Sequence, residues 1–216
     1  MNKHLALLDF DGTIAQTWES SPNNMNVTVA YELAIQDIFG SAGTQIYQEL
    51  GGLQNREPGE LVQLILKKME IGVSYDSKEL TEQLVKQKLS YLLPEICSVW
   101  PKLYPGVKEF MTAAEQGMLP IDIGIVSSGH DEFIAKVFDV QNIKLPEILV
   151  TSDILRGRQQ PKRPREKPYP YQFAEAHRQW LALRADNSDY FSSEKYSVRG
   201  HEKARIIYIG DDPNKD

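Results

Sequence analysis

The chain has 216 residues, 41% hydrophobic and 25% charged, with 24 basic and 30 acidic side chains and a net charge of −6. This ordinary composition excludes a collagen-like, disordered or disulfide-stapled protein, and the lone Cys97 suits a reducing cytosol. The acidic balance gives no general reason to expect a nucleic-acid partner. No apolar run approaches the ~20 residues of a membrane span and no signal-peptide pattern opens the chain, so a cytoplasmic protein without a membrane partner is expected.

In chain order, a first buried strand is predicted at Leu5–Phe10. Helical periodicity follows, with no convincing strand, from about Trp18 to Trp100. One helix carries Val29, Leu33, Ile38 and Phe39; another carries Leu61, Val62, Ile65, Leu66 and Met69; a third runs from Leu80 to Ile96. Gly40, Gly43, Gly51–Gly52, Pro58 and Gly72 punctuate them. After Pro105, the spacing of Val107, Phe110, Met111 and Ala114 predicts a helix ending at Gly117. A second strand is expected at Ile121–Val126, a helix at Phe133–Phe138, a third strand at Glu147–Val150 and a helix through Phe173, His177, Trp180 and Leu181. Residues 185–203 are polar and read as an irregular excursion before a fourth strand at Arg205–Ile209. Strands alternating with helices imply an α/β fold, a doubly wound Rossmann-like parallel sheet, with an all-helical module inserted after the first strand. The expected division is a core of residues 1–17 and 103–216 and a helical cap of residues 18–102.

Charge is uneven along this plan. Between Arg156 and Pro168 six basic residues face one acid, Glu166, so that loop is +5 and the remainder of the chain is −11. A Pro-rich basic run without apolar periodicity reads as an extended loop, either simply solvated or attractive to an anion.

Ligand and catalytic groups of such sheets collect beyond the carboxyl ends of the strands. The first strand delivers Asp9-Phe10-Asp11-Gly12-Thr13, two carboxylates that can converge on one site. The second delivers Ser127-Ser128-Gly129-His130, hydroxyls and backbone N–H groups ahead of a helix; Ser127 directly follows the apolar run and Ser128 is its alternative. The basic loop supplies Lys167-Pro168, and the fourth strand ends in Gly210-Asp211-Asp212. Carboxylates so close repel unless a cation sits among them, and all-oxygen ligands favour Mg²⁺. A phosphate completes the charge balance, and a carboxylate can then act as nucleophile while its neighbour moves the proton. His130 reads as a solvated residue at a helix start, and Cys97 and His177 as packing residues. Lys67, Lys68, Lys86 and Lys88 read as solvated helix positions.

Asp9-Phe10-Asp11-Gly12-Thr13 resembles the first motif of the haloacid dehalogenase-like hydrolases. Ile123–Ser127 is similar to their second, Lys167-Pro168-x-Pro to their third and Gly210-Asp211-Asp212 to their fourth. Tyr104-Pro105-Gly106-Val107 has the form that leads back into their core after a helical cap. The resemblance extends over nearly the whole chain and fits the branch containing phosphoglycolate phosphatase and β-phosphoglucomutase. It implies Asp9 as nucleophile and metal ligand, and Asp11 as acid/base with its carbonyl facing the metal. It implies Ser127 or Ser128 with Lys167 as phosphoryl ligands, and Asp211, with Asp212 in support, completing the Mg²⁺ site. The implied activity is a phosphatase acting on a small phosphorylated metabolite. A phosphomutase of the same fold is one alternative; a non-enzymatic protein binding an acidic partner through loop 156–168 is the other. Ile14-Ala15-Gln16-Thr17 lacks the Asp common there in these relatives, which weakens any assignment of one substrate. Asp216 follows directly on the fourth motif, where relatives continue with a helix, so a trimmed or partial core is also expected.

Overall fold

The computed structural model describes residues 4–52, 58–70, 77–153, 171–184 and 205–210. The basic loop 156–168, the excursion 185–203 and the predicted site residues Lys167, Asp211 and Asp212 lie outside them. The chain divides into two compact units, one of residues 1–16 and 102–216, the other of residues 17–101.

The first unit is built on a four-stranded parallel sheet of β1 (His4–Leu8), β2 (Ile121–Val126), β3 (Ile148–Val150) and β4 (Ile206–Ile209), in the order β3-β2-β1-β4. The expected α/β class and parallel sheet are therefore present. β1 pairs on both sides, Leu8 opposite Ile125 of β2 and opposite Ile209 of β4. Its uninterrupted apolar sequence follows from burial on both faces. The strand stops at Leu8, two residues before the predicted end, because the backbone turns at Asp9–Ala15.

Among the described residues three helices accompany the sheet in this unit. Val107–Glu115 and Asp131–Val140 flank β2 in sequence, and Tyr171–Arg184 lies between β3 and β4. They are labelled α4, α5 and α6 in chain order. Alternation along β1 sends Leu5 and Leu7 to one face, where Val126, Ile148, Val150, Ala176 and Trp180 close a core beneath α6. Phe10, just past β1, meets Phe133 edge-on at 6.1 Å and Phe138 at 6.3 Å, both from α5. A cavity of about 500 Å³ opens at the amino ends of β2 and β3, beside Ile121, Asp122, Ile148, Trp180 and Arg184, away from the carboxyl ends.

One expectation about this sheet fails. β4 reads as a buried strand, yet Ile206, Ile207 and Ile209 are 44–49% exposed. Among the described residues β4 stands at the sheet edge, paired with β1, and of its side chains Tyr208 packs inward, against Phe173 of α6.

The second unit is helical throughout its described elements: α1 (Val27–Glu49), α2 (Pro58–Lys68), α3 (Ser77–Leu92) and a 3₁₀ turn at Leu93–Glu95. Asn26 caps α1 by accepting the Val29 N–H, and Gly40 breaks that helix with φ +67°. Tyr31, Ala34 and Ile35 of α1 pack with Leu61, Val62 and Ile65 of α2 and Leu84 of α3. Lys88 corrects its reading as a solvated residue: it is buried, its ammonium 4.8 Å from the centre of the Tyr31 ring. Its aliphatic stem adds to the apolar contact among the helices while the charge lies against the aromatic face. Lys67, Lys68 and Lys86 are not buried, as expected.

Candidate active site at the carboxyl ends of β1 and β2

The strand order makes β1 the point of reversal. Successive strands β1, β2 and β3 step outward to one side, and β4 returns to the other. Open α/β sheets bind ligands at such a switch point, outside the carboxyl ends. Asp9 stands there: its N–H continues the ladder to the carbonyl of Ile209 at 2.9 Å. The Phe10 N–H donates to Asp9 Oδ1 at 2.7 Å, which orients the carboxylate. The following turn is closed by the Ile14 and Ala15 N–H groups, both donating to the Phe10 carbonyl, and by Gly12 N–H on the Ala15 carbonyl. Gly12 has φ +79°, which a side chain would resist, so the sequence bends sharply enough to leave Asp9 and Asp11 at one strand end.

Ser127 occupies the corresponding place beyond β2. Its N–H bonds the Val150 carbonyl at 3.0 Å, and its side chain is fully buried. Ser127 Oγ accepts the Gly129 N–H at 2.9 Å, which leaves its own proton available to donate. Ser128, the alternative, is an exposed residue. Gly129 brings the two strand ends into register. A Cβ on it would stand 3.1 Å from Ser127 Oγ and 3.4 Å from Asp11 Oδ2. The carboxylate and the hydroxyl thus border one small space that the missing side chain keeps open.

His130 corrects its reading as a solvated residue: it is 3% exposed. Its Nδ1 lies 2.9 and 3.1 Å from the two oxygens of Asp153, just past β3. A carboxylate only accepts, so Nδ1 carries the proton. Asp153 also accepts the Asp131 N–H at 3.2 Å. Burial pushes the Asp153 carboxyl up, but the hydrogen bond and charge of His130 and the bonds from Asp131 outweigh it and hold the group below the usual carboxylate range. Asp131 is shifted the other way, first by its own burial and then by Asp153 beside it. Ser152, also fully buried, donates its hydroxyl to the Ser128 carbonyl and, at 3.3 Å, to that of Gly129.

Two further polar groups near these elements escape sequence reasoning. Thr13 Oγ1 is buried with no hydrogen-bond partner among the described residues, and so are both amide atoms of Gln172 in the first turn of α6. Their signal exists only in three dimensions, since Thr and Gln are ordinary residues at such positions.

Among the described residues no three His, Cys, Asp or Glu side chains are gathered as a metal site. Asp9 and Asp11 are oxygen donors of the kind Mg²⁺ takes, and Asp11 borders a space that a Cβ on Gly129 would fill, so the described part of the set fits such a cation. His177 packs near Trp180 with ring centres 5.9 Å apart, and Cys97 is half-buried with a free thiol.

No family model and no curated relative matches the sequence. Solved structures do. A haloacid dehalogenase-like hydrolase from Bacteroides fragilis superposes with a TM-score of 0.57 at 14% identity, over 97% of this chain and 79% of its own. A point mutant of CbbY from Rhodobacter sphaeroides, in complex with xylulose-1,5-bisphosphate, gives 0.54 at 14% identity over 83% and 73%. A predicted phosphoglycolate phosphatase from Haemophilus somnus gives 0.53 at 15% identity over 100% and 80%. At these identities the likeness establishes the fold.

Proposed function

We propose that this chain, which has the fold of the haloacid dehalogenase-like hydrolases, is a Mg²⁺-dependent phosphatase of small phosphorylated metabolites. The observation that carries the reading is the open space at Gly129, bordered by the Asp11 carboxylate and the Ser127 hydroxyl. A sugar bisphosphate in the similar CbbY structure supports a substrate of that class.

In this reading an Asp9 carboxylate oxygen attacks phosphorus, and the bond from phosphorus to the leaving oxygen breaks. Asp11 gives that oxygen a proton. Asp11 then takes a proton from water, whose oxygen attacks the aspartyl-phosphate, and Asp9 is released as a carboxylate. The Ser127 hydroxyl and Lys167 hold phosphoryl oxygens, with Ser128 contributing its backbone N–H. Asp9, the Asp11 carbonyl and Asp211, with Asp212 in support, would hold the Mg²⁺, which would offset phosphoryl charge. Such transfers pass through a loose transition state, so positioning and neutralisation carry most of the acceleration. The helical unit serves as the cap that bears specificity.

The experiment is hydrolysis of p-nitrophenyl phosphate with Mg²⁺. Asp9→Asn is expected to cut kcat by at least ~10³-fold, and EDTA to abolish turnover. Activity that persists through both would overturn the mechanism. Hexose phosphate products with the phosphate moved, not released, would assign a mutase instead.

A further inference from the structure

We propose that His130, Ser152 and Asp153 form a clasp that fixes the Ser127–Gly129 turn, making them positioning residues for phosphoryl binding. The role rests on the phosphatase reading above; the clasp itself rests on geometry alone. Two consecutive residues leaving β3 grip successive parts of the turn leaving β2. Ser152 takes the Ser128 and Gly129 carbonyls, and Asp153 takes the His130 ring and the Asp131 N–H. Two restraints act on Ser127 itself, the Val150 carbonyl on its N–H and the Gly129 N–H on its hydroxyl. The second restraint depends on where the Gly129 peptide plane points, and Ser152 holds the carbonyl of that same plane, that of Ser128. A trans peptide directs its N–H opposite its C=O. Pulling the Ser128 carbonyl toward β3 therefore drives the Gly129 N–H toward Ser127 Oγ. With that lone pair occupied, the hydroxyl proton is directed away from the turn, where a phosphoryl oxygen can accept it.

His130 and Asp153 stop the turn from rotating about this anchor. Both the ring and Ser152 are nearly or fully excluded from water, so the contacts are made in a low-dielectric setting where a lost partner is felt strongly. The Ser127 hydroxyl is thus oriented from the segment leaving β3, and small displacements there reach the reacting group. A misplacement of about 1 Å in such a site costs on the order of 10²-fold in rate.

The test uses the full chain with Ser152→Ala, His130→Ala and His130→Asn. The Asn amide nitrogen reaches the place of Nδ1 and restores the donor to Asp153. Two readouts are taken: amide hydrogen exchange at Gly129, with the Ser127 N–H as internal reference, and inhibition of p-nitrophenyl phosphate hydrolysis by orthophosphate. Ser152→Ala and His130→Ala should speed Gly129 exchange about tenfold relative to Ser127. They should also raise the orthophosphate inhibition constant about tenfold and lower kcat/KM by roughly 10- to 100-fold. His130→Asn should recover most of each effect. Unchanged Gly129 exchange in both Ala variants would overturn the clasp, as would identical behaviour of the Ala and Asn variants of His130. If the wild-type chain neither hydrolyses the ester nor binds orthophosphate, the phosphatase reading falls, while the exchange data still decide the clasp.

Discussion

Gly129 separates the demands of the site from those of the backbone. Its φ is not in the left-handed region, so an alanine there would meet no backbone strain. Its Cβ would instead stand in the space between Ser127 Oγ and Asp11. Gly129→Ala is expected to lower kcat/KM at least ~10-fold with a stability change within ~1 kcal/mol, checked by kinetics beside a thermal melt. Asp153 makes a prediction about pH. Its folded pKa is depressed, so ionised Asp153 contributes stability at pH above the unfolded value of ~3.9, and that contribution drains away as pH falls toward the folded value. Asp131, shifted upward by its burial and then by Asp153 beside it, works in the opposite sense, and the part due to Asp153 goes with the Asp153 charge. Asp153→Asn keeps an acceptor without the charge and should lose roughly 1 kcal/mol at pH 6. The gap to wild type should begin to narrow as pH falls below about 4 and shrink further with continued acidification; a gap that widened on acidification would contradict the assignment.

At the scale of elements, glycine decides what size of contact is possible. Gly124 faces Leu7 across the β1–β2 pair, and a Cβ there would come 2.7 Å from Ile148 Cγ2 and 2.8 Å from Leu7 Cδ2. The strands and α6 are packed around its absence. Gly124→Ala is therefore expected to cost about 1–3 kcal/mol, measured by urea unfolding, because the displaced groups belong to a buried core. In α1, Gly40 adopts φ +67° in open space, whereas a Cβ on Gly43 would collide with Phe39. A side chain at Gly40 would meet backbone strain alone, and one at Gly43 a steric clash. The sequence marks both glycines as punctuation; only the packing distinguishes a bend from a close contact.

Among the described residues one apolar cluster lies beneath α6 on the sheet and another lies among α1, α2 and α3. Ile65 lies fully buried in the second. Ile65→Ala should destabilise the helical unit by about 2–5 kcal/mol. Mg²⁺ with orthophosphate, by mass action, should stabilise the sheet unit by about 2.7 kcal/mol at roughly a hundredfold excess over Kd. Calorimetry is expected to resolve the two effects on different transitions. Equal movement of one single transition by both would show that the units unfold together.

Much of this was legible in the chain. β1, β2, the helical insert and the Asp9–Thr13 turn follow from local signals: apolar runs of strand length, helical periodicity and a glycine where the backbone must turn left-handed. Such signals are carried by neighbours in sequence and survive without tertiary contacts. Burial at a distance does not. The sequence could not tell that His130 is sealed against Asp153, that Lys88 lies over Tyr31, or that three isoleucines of β4 stay half exposed. Each depends on which segment arrives from elsewhere in the chain to cover the side chain. The residue types and their order determined the fold and the candidate chemistry. Only the tertiary structure decided which groups the turn at Ser127 leans on, because residues 23 positions apart meet there through strand pairing.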